Sequence, residues 1–166
     1  MTLSGVSTYS GATVLSGGTL TLDGANRIAA GSQLILNGGA LRLTNAGADG
    51  QTFASLSLLD NASVQLGSSA LTFNGLGAVV SGKTLSFTEA ATGGYAFRLL
   101  GDYSADTSFL ALIGMTSING QRATFRFDGA YTGVAAAAVP EPATYAMLLG
   151  GLGLIGAFVR RRQQGV

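Results

Sequence analysis

The chain has no cysteine, no histidine and no tryptophan in 166 residues. Without cysteine it can form no disulfide and no reactive thiol. Without histidine and cysteine, neither a Ser–His–Asp nor a Cys–His catalytic arrangement can be assembled. Zinc sites built from those ligands are excluded on the same ground. Charge is scarce as well, at 10% of residues against the usual ~25%. Three of the nine cations and one of the eight anions sit in the last 28 residues, which leaves six basic and seven acidic side chains scattered singly over the rest. That distribution gives no electrostatic footprint for nucleic acid. Low charge combined with many Leu, Val and Phe also argues against a disordered chain.

What is abundant is glycine, 26 residues, roughly twice the usual ~7% share. It punctuates a recurring apolar–x–apolar triplet. The triplets are Leu20-Thr-Leu22, Leu34-Ile-Leu36, Leu41-Arg-Leu43, Leu56-Ser-Leu58, Val64-Gln-Leu66, Leu71-Thr-Phe73, Leu85-Ser-Phe87, Phe97-Arg-Leu99 and Phe125-Arg-Phe127. Alternation of period two puts both apolar members on one side, so each triplet reads as a short strand with one buried face. Turn residues separate them, among them Asp23-Gly24, Asn37-Gly38-Gly39, Asp60-Asn61 and Ser81-Gly82. No stretch before Ala135 shows a sustained helical period.

Such strands suit an antiparallel sandwich or barrel, or a parallel β-solenoid whose coils bury their apolar faces by stacking. Through residue 85 the triplets start at spacings of 14, 7, 15, 8, 7 and 14. A beat near seven is expected of coil sides and not of a sandwich. The expectation is therefore an all-β chain forming a right-handed parallel β-solenoid, or β-helix. From Thr88 to Gly133 the beat is lost and aromatics gather, which predicts a strand-rich C-terminal cap over the exposed end of the core.

The end of the chain has a different character. Val139-Pro140-Glu141-Pro142 precedes an uncharged run from Ala143 to Val159, and Arg160, Arg161 and Arg162 follow. As a helix, the run would be about 25 Å long, near the lower limit for crossing a ~30 Å hydrocarbon core. It predicts a single transmembrane α-helix whose anchoring side chains are Tyr145, Leu148, Leu149, Leu152, Leu154, Ile155, Phe158 and Val159. The arginine cluster belongs on the cytoplasmic side, which places the body across the membrane. The two prolines make the segment before the helix stiff and extended, a form suited to a processing enzyme. Ala146, Gly150, Gly153 and Ala157 share one helix face and permit close helix contact, although small residues are abundant throughout.

The order Val-Pro-Glu-Pro, short apolar helix, arginine cluster, chain end resembles the PEP-CTERM sorting signal of exopolysaccharide-producing Gram-negative bacteria. The resemblance covers about residues 139 to 162. It implies recognition by an exosortase, a membrane-embedded cysteine peptidase, and removal of the tail at the cell surface or extracellular matrix. The alternative is an ordinary single-pass anchor that is never cut. Ile118 to Gly129 is similar to the last strand commonly found before such a tail. Residues 10 to 87 also resemble the repeats of autotransporter passenger domains, carried by Tyr9 to Leu22 and by Leu34-Ile-Leu-Asn-Gly-Gly-Ala-Leu-Arg-Leu43, and this resemblance implies a β-helix. An exported protein ought to begin with a signal peptide, yet residues 1 to 10 lack its basic and apolar regions. The expectation is a C-terminal part of a longer protein, or a start assigned too late.

Two enzymatic readings compete. Gly77-Ala-Val-Val-Ser-Gly-Lys-Thr84 satisfies the phosphate-loop pattern. That mechanism needs a helix after the loop, whereas Leu85-Ser-Phe-Thr88 reads as a strand, so Lys83 is taken as a solvated turn residue. Polysaccharide-cleaving β-helices need paired carboxylates on one face. Asp23, Asp49, Asp60, Glu89, Asp102, Asp106 and Asp128 mostly adjoin Gly, Asn, Ser or Ala, where Asp is a turn former.

The reading that results divides the chain at 1–133 (solenoid body with its cap), 134–142 (linker with the Pro-Glu-Pro motif), 143–159 (transmembrane helix) and 160–166 (basic cytoplasmic tail). It describes an exported structural or adhesive surface protein that is not an enzyme and has no cofactor or metal. Its partners are the membrane, an exosortase-type enzyme and, as a candidate, exopolysaccharide. Its route runs through an inner-membrane intermediate with the body in the periplasm. The alternative is a polysaccharide-binding or polysaccharide-degrading β-helix with the same tail.

Overall fold

The computed structural model describes residues 1–48, 50–138 and 147–148. The chain winds through β1 (Thr2–Leu3), β2 (Thr13–Leu15) and β3 (Thr19–Asp23), then β4 (Leu34–Asn37), β5 (Ala40–Thr44) and β6 (Gln51–Phe53). The next coil is β7 (Leu56–Asp60), β8 (Ala62–Gln65) and β9 (Leu71–Phe73), followed by β10 (Leu76–Val79), β11 (Leu85–Thr88) and β12 (Phe97–Leu100). The chain then forms α1 (Thr107–Gly114), β13 (Thr116–Ile118), β14 (Gln121–Phe127) and β15 (Tyr131–Ala136).

Strands one coil apart pair in parallel and build three faces. The first face is β2-β4-β7-β10, four turns of a β-solenoid. The second is β1-β3-β5-β8-β11-β13 and the third β6-β9-β12. On the first face Thr13 pairs with Leu34, Leu34 with Leu56 and Leu56 with Leu76, steps of 21, 22 and 20 residues. Three sides of about seven residues make one such coil, which is the origin of the beat in the triplet spacing. The sandwich alternative is thereby set aside.

Register places like side chains on like. Leu20, Leu41, Val64 and Phe87 occupy successive rungs of the second face, and all four are buried. On the third face Phe53 pairs with Phe73. Their rings stack at 5.8 Å, and Phe73 meets Phe97 edge-on at 6.1 Å. Each coil alone would expose this row to water. Stacking removes it, at roughly 25 cal/mol for each Å² of apolar surface covered. The turns between faces are bonded from coil to coil as well: Thr44 Oγ1 and Asn45 Nδ2 donate to Asp23 Oδ1, and Thr84 N–H donates to Asn61 Oδ1.

The C-terminal end is a strand-rich cap that also contains a helix the sequence did not announce. Phe109, Leu112 and Ile113 are its buried residues, an i, i+3, i+4 set within two turns, too short to register as a sustained period. The Asp106 carboxylate accepts from the Phe109 N–H and caps the helix start. In sequence order α1 takes the place of a first-face strand, and it packs against β10. The rest of the cap is a hairpin. β14 pairs antiparallel with β13 and β15, and β15 with β12, which joins the second and third faces into one 11-stranded sheet.

Two further expectations need correction. Val134 is buried in β15, and residues 134–136 therefore belong to the sheet and not to a linker. In the Phe125-Arg-Phe127 triplet only Phe125 packs on the core, while Phe127 is exposed. Phe127 is the last residue of β14, where the strand runs out to the chain's turn, and it finds no cover.

Candidate functional site

Most of the tail residues singled out in the sequence lie outside the described residues: Val139, Pro140, Glu141, Pro142, Tyr145, Leu149, Leu152, Leu154, Ile155, Phe158, Val159, Arg160, Arg161 and Arg162. The transmembrane helix expected over 143–159 falls there too, apart from Met147 and Leu148, which are helical and exposed. Among the described residues no helix is long and apolar enough to cross a membrane. The body ends just before this segment. Its final strand stops at Ala136, and the Ala137 N–H still donates to the Arg122 carbonyl.

The described carboxylates weighed as catalytic groups lie at strand ends or in loops of different coils, apart from Asp102 and Asp106, which share the segment before α1, and each has a local partner. Asn45 and Thr44 donate to Asp23 and hold its carboxyl below the usual range. Lys83 bonds Asp60 at 2.8 Å and does the same there, helped by the Asn61 N–H. The Ser104 N–H lowers Asp102, and the Tyr131 and Ala130 N–H groups lower Asp128. Gln65 donates to Glu89, and Asp106 caps α1. Asp49 lies outside the described residues. Among the described residues no three of His, Cys, Asp or Glu gather where they could hold a metal ion.

The phosphate-loop string is flanked by β10 and β11, with no helix after it. Its Lys83 is turned to Asp60 of the preceding coil, and the Thr84 hydroxyl to Asn61. No ring of backbone donors is left around an anion, so the match is a coil turn.

The outer side of the third face brings together residues that the sequence did not single out as a group. Gly133 of β15 pairs with Arg98 on one side and Arg126 on the other. The Arg98 Nε donates to Thr72 Oγ1 at 3.0 Å, and its guanidinium sits 4.7 Å from the centre of the Tyr131 ring, a cation–π distance. Tyr95 lies against Gly133 so closely that a Cβ there would collide with the ring. Beside them runs a shallow groove of about 250 Å³, lined in part by Ser68, Ser69, Thr72, Tyr95 and Arg98. In the sequence Arg98 is the polar centre of a strand triplet, and Tyr95 and Tyr131 fall among the aromatics gathered between Thr88 and Gly133. Pairing of Arg98 with Thr72 across 26 residues and with Gly133 across 35 is what unites them, and no local pattern carries that information.

A family model, described as the PEP-CTERM protein-sorting motif, matches residues 138–163. No curated protein matches the chain, and no solved structure does.

Proposed function

This chain carries a PEP-CTERM protein-sorting motif, and on that premise we propose that it is an exported structural or adhesive protein of the bacterial cell surface or extracellular matrix. The motif implies handling by an exosortase and delivery to the cell envelope or beyond. In the proposed sequence of events the body crosses into the periplasm and the 143–159 segment halts in the inner membrane, with Arg160 to Arg162 on the cytoplasmic side. Cleavage near Pro140–Pro142 then frees the body into a biofilm matrix.

The observation that carries this reading is where the last described strand lies relative to the motif. The last described strand ends at Ala136 and the matched motif begins at residue 138, so among the described residues removal of the motif takes away no strand and no core side chain. A solenoid of stacked coils with a closed C-terminal end suits a rigid surface element. The dispersal of its carboxylates into turns favours this role over a polysaccharide-cleaving one. Mass spectrometry of the mature C-terminus in surface material is the test. A terminus near residue 140 is expected, and an intact Val166 throughout that material would refute processing.

A further inference from the structure

Neither the sorting tail nor the solenoid core explains the row Arg98–Gly133–Arg126. Residues in one register row project to the same side of a sheet. Neighbouring strands lie about 4.8 Å apart, so the two arginines are based about 10 Å apart with the glycine between them. Any side chain at position 133 would fill that gap. Its absence lets the Tyr95 ring lie across the strand, with 39% of the residue still exposed. The arrangement is two arginines based on either side of an aromatic plate.

Arg98 is held in place while keeping donor capacity. Its Nε is engaged by Thr72 and one face of its fork by Tyr131. Among the described residues neither Arg98 nor Arg126 forms an ion pair with a carboxylate. Asp128 is near enough for Arg98 to help lower its carboxyl, after the stronger bonds from the Tyr131 and Ala130 N–H groups. The row nevertheless keeps an excess of positive charge.

We propose that this row binds an acidic polysaccharide, with uronate carboxylates on Arg98 and Arg126 and a pyranose ring lying on Tyr95. An arginine fork matches a carboxylate with two parallel N–H···O bonds. The negative face of a tyrosine ring attracts the weakly positive C–H face of a sugar. Ser68 adds an exposed hydroxyl group along the adjoining groove. The groove is open, as an extended chain requires. A nucleic acid would call for more cations and for several stacking rings, and the row offers a single exposed plate. The proposal rests on the exported, surface-displayed reading above, since that is where such a polymer would be met.

The test uses the full chain in mild detergent, with alginate as the acidic probe. Neutral dextran, single-stranded DNA and anionic phospholipid vesicles are the comparison arms. Alginate should bind with a strong salt dependence and dextran should not. Arg98→Ala should weaken alginate binding about tenfold or more, as loss of a charge-assisted pair does, and Arg98→Lys should fall between. Arg126→Ala, at an exposed position of β14, should weaken it without changing the melting temperature. Gly133→Ala has an ordinary backbone to occupy and displaces only a side chain. It should lower affinity several-fold at unchanged melting temperature, an effect that a merely structural role for Tyr95 would not give.

The proposal is overturned if alginate does not bind, or if it binds equally to the Arg98→Ala, Arg126→Ala double variant. It is also overturned if DNA or vesicles bind as tightly with the same sensitivity to these substitutions. A chain that binds alginate but keeps Val166 in surface material counts against processing alone. A processed chain that ignores alginate counts against this site alone.

Discussion

Replacing Gln51 tests how the first coil is joined to the second. Gln51 and Ile28 are each 1% exposed. The Gln51 amide accepts from the Ile28 N–H at 3.0 Å and donates to the Ile28 carbonyl at 2.8 Å. One side chain therefore supplies both bonds that a neighbouring strand would otherwise give. Gln51→Ala leaves two buried backbone groups without partners, each costing about 1–3 kcal/mol. The expected loss is roughly 2–5 kcal/mol, a large share of the 5–15 kcal/mol typical of a domain. Gln51→Leu keeps the volume and removes only the polar groups, so it should cost nearly as much.

The assay is urea unfolding of the full chain in mild detergent, followed by far-UV circular dichroism, with the midpoint read at constant slope. Loss of less than about 0.5 kcal/mol in both variants would refute the reasoning. Gln51→Glu adds a sign. The buried carboxyl would have its pKa raised above the unfolded value of ~4.3. The folded state then binds more protons than the unfolded one, so stability is greatest below that value and falls as pH rises through the folded pKa. A variant whose stability rose with pH in that range would contradict the placement.

Gly50 has φ +54°, and a Cβ there would run into the Ala70 carbonyl oxygen. Gly50→Ala should lower the melting temperature well beyond Gly11→Ala, whose Cβ meets nothing, since a left-handed backbone alone costs about 1–2 kcal/mol. Asp106→Ala removes the α1 cap and should cost about 1 kcal/mol in urea titration, while the strand signal at low urea stays unchanged. Asp23, Asp60, Asp102 and Asp128 all have lowered carboxyl pKa values. Their stabilising contribution is complete above the unfolded value of ~3.9 and is lost as pH falls through the folded values. The melting temperature should therefore drop between pH 4 and pH 2, and a flat profile there would refute it.

The solenoid was legible wherever both members of a strand's inward pair are apolar. The Leu20, Leu34, Leu41, Leu56, Leu71 and Leu85 triplets all coincide with strands, because stacking demands the same residue type at each rung. β2 and β6 escaped because one inward member is polar: Thr13, which shares a hydrogen bond with Ser32, and Gln51, which serves Ile28. β10 escaped because its centre is Gly77-Ala78, where a Cβ at Gly77 would collide with Ser57. Helix α1 was hidden by length. The sorting signal was plain because its parts are consecutive, whereas the Arg98 row depends on register between β12, β15 and β14.

The row and the tail are coupled by one strand. β15 supplies Gly133 to the row and leads into the motif at residue 138, five residues later. Fully extended, that stretch spans about 17 Å. If the tail is anchored, the polysaccharide row is held at the outer surface of the bilayer, and cleavage frees it without altering it. A chain with Pro140 and Pro142 replaced by alanine should therefore stay in the membrane fraction and bind alginate with unchanged affinity. Alginate should then co-sediment with membranes that carry this variant. If the released and retained forms differ in affinity by tenfold, the tail belongs to the binding surface and the separation of body from signal is wrong.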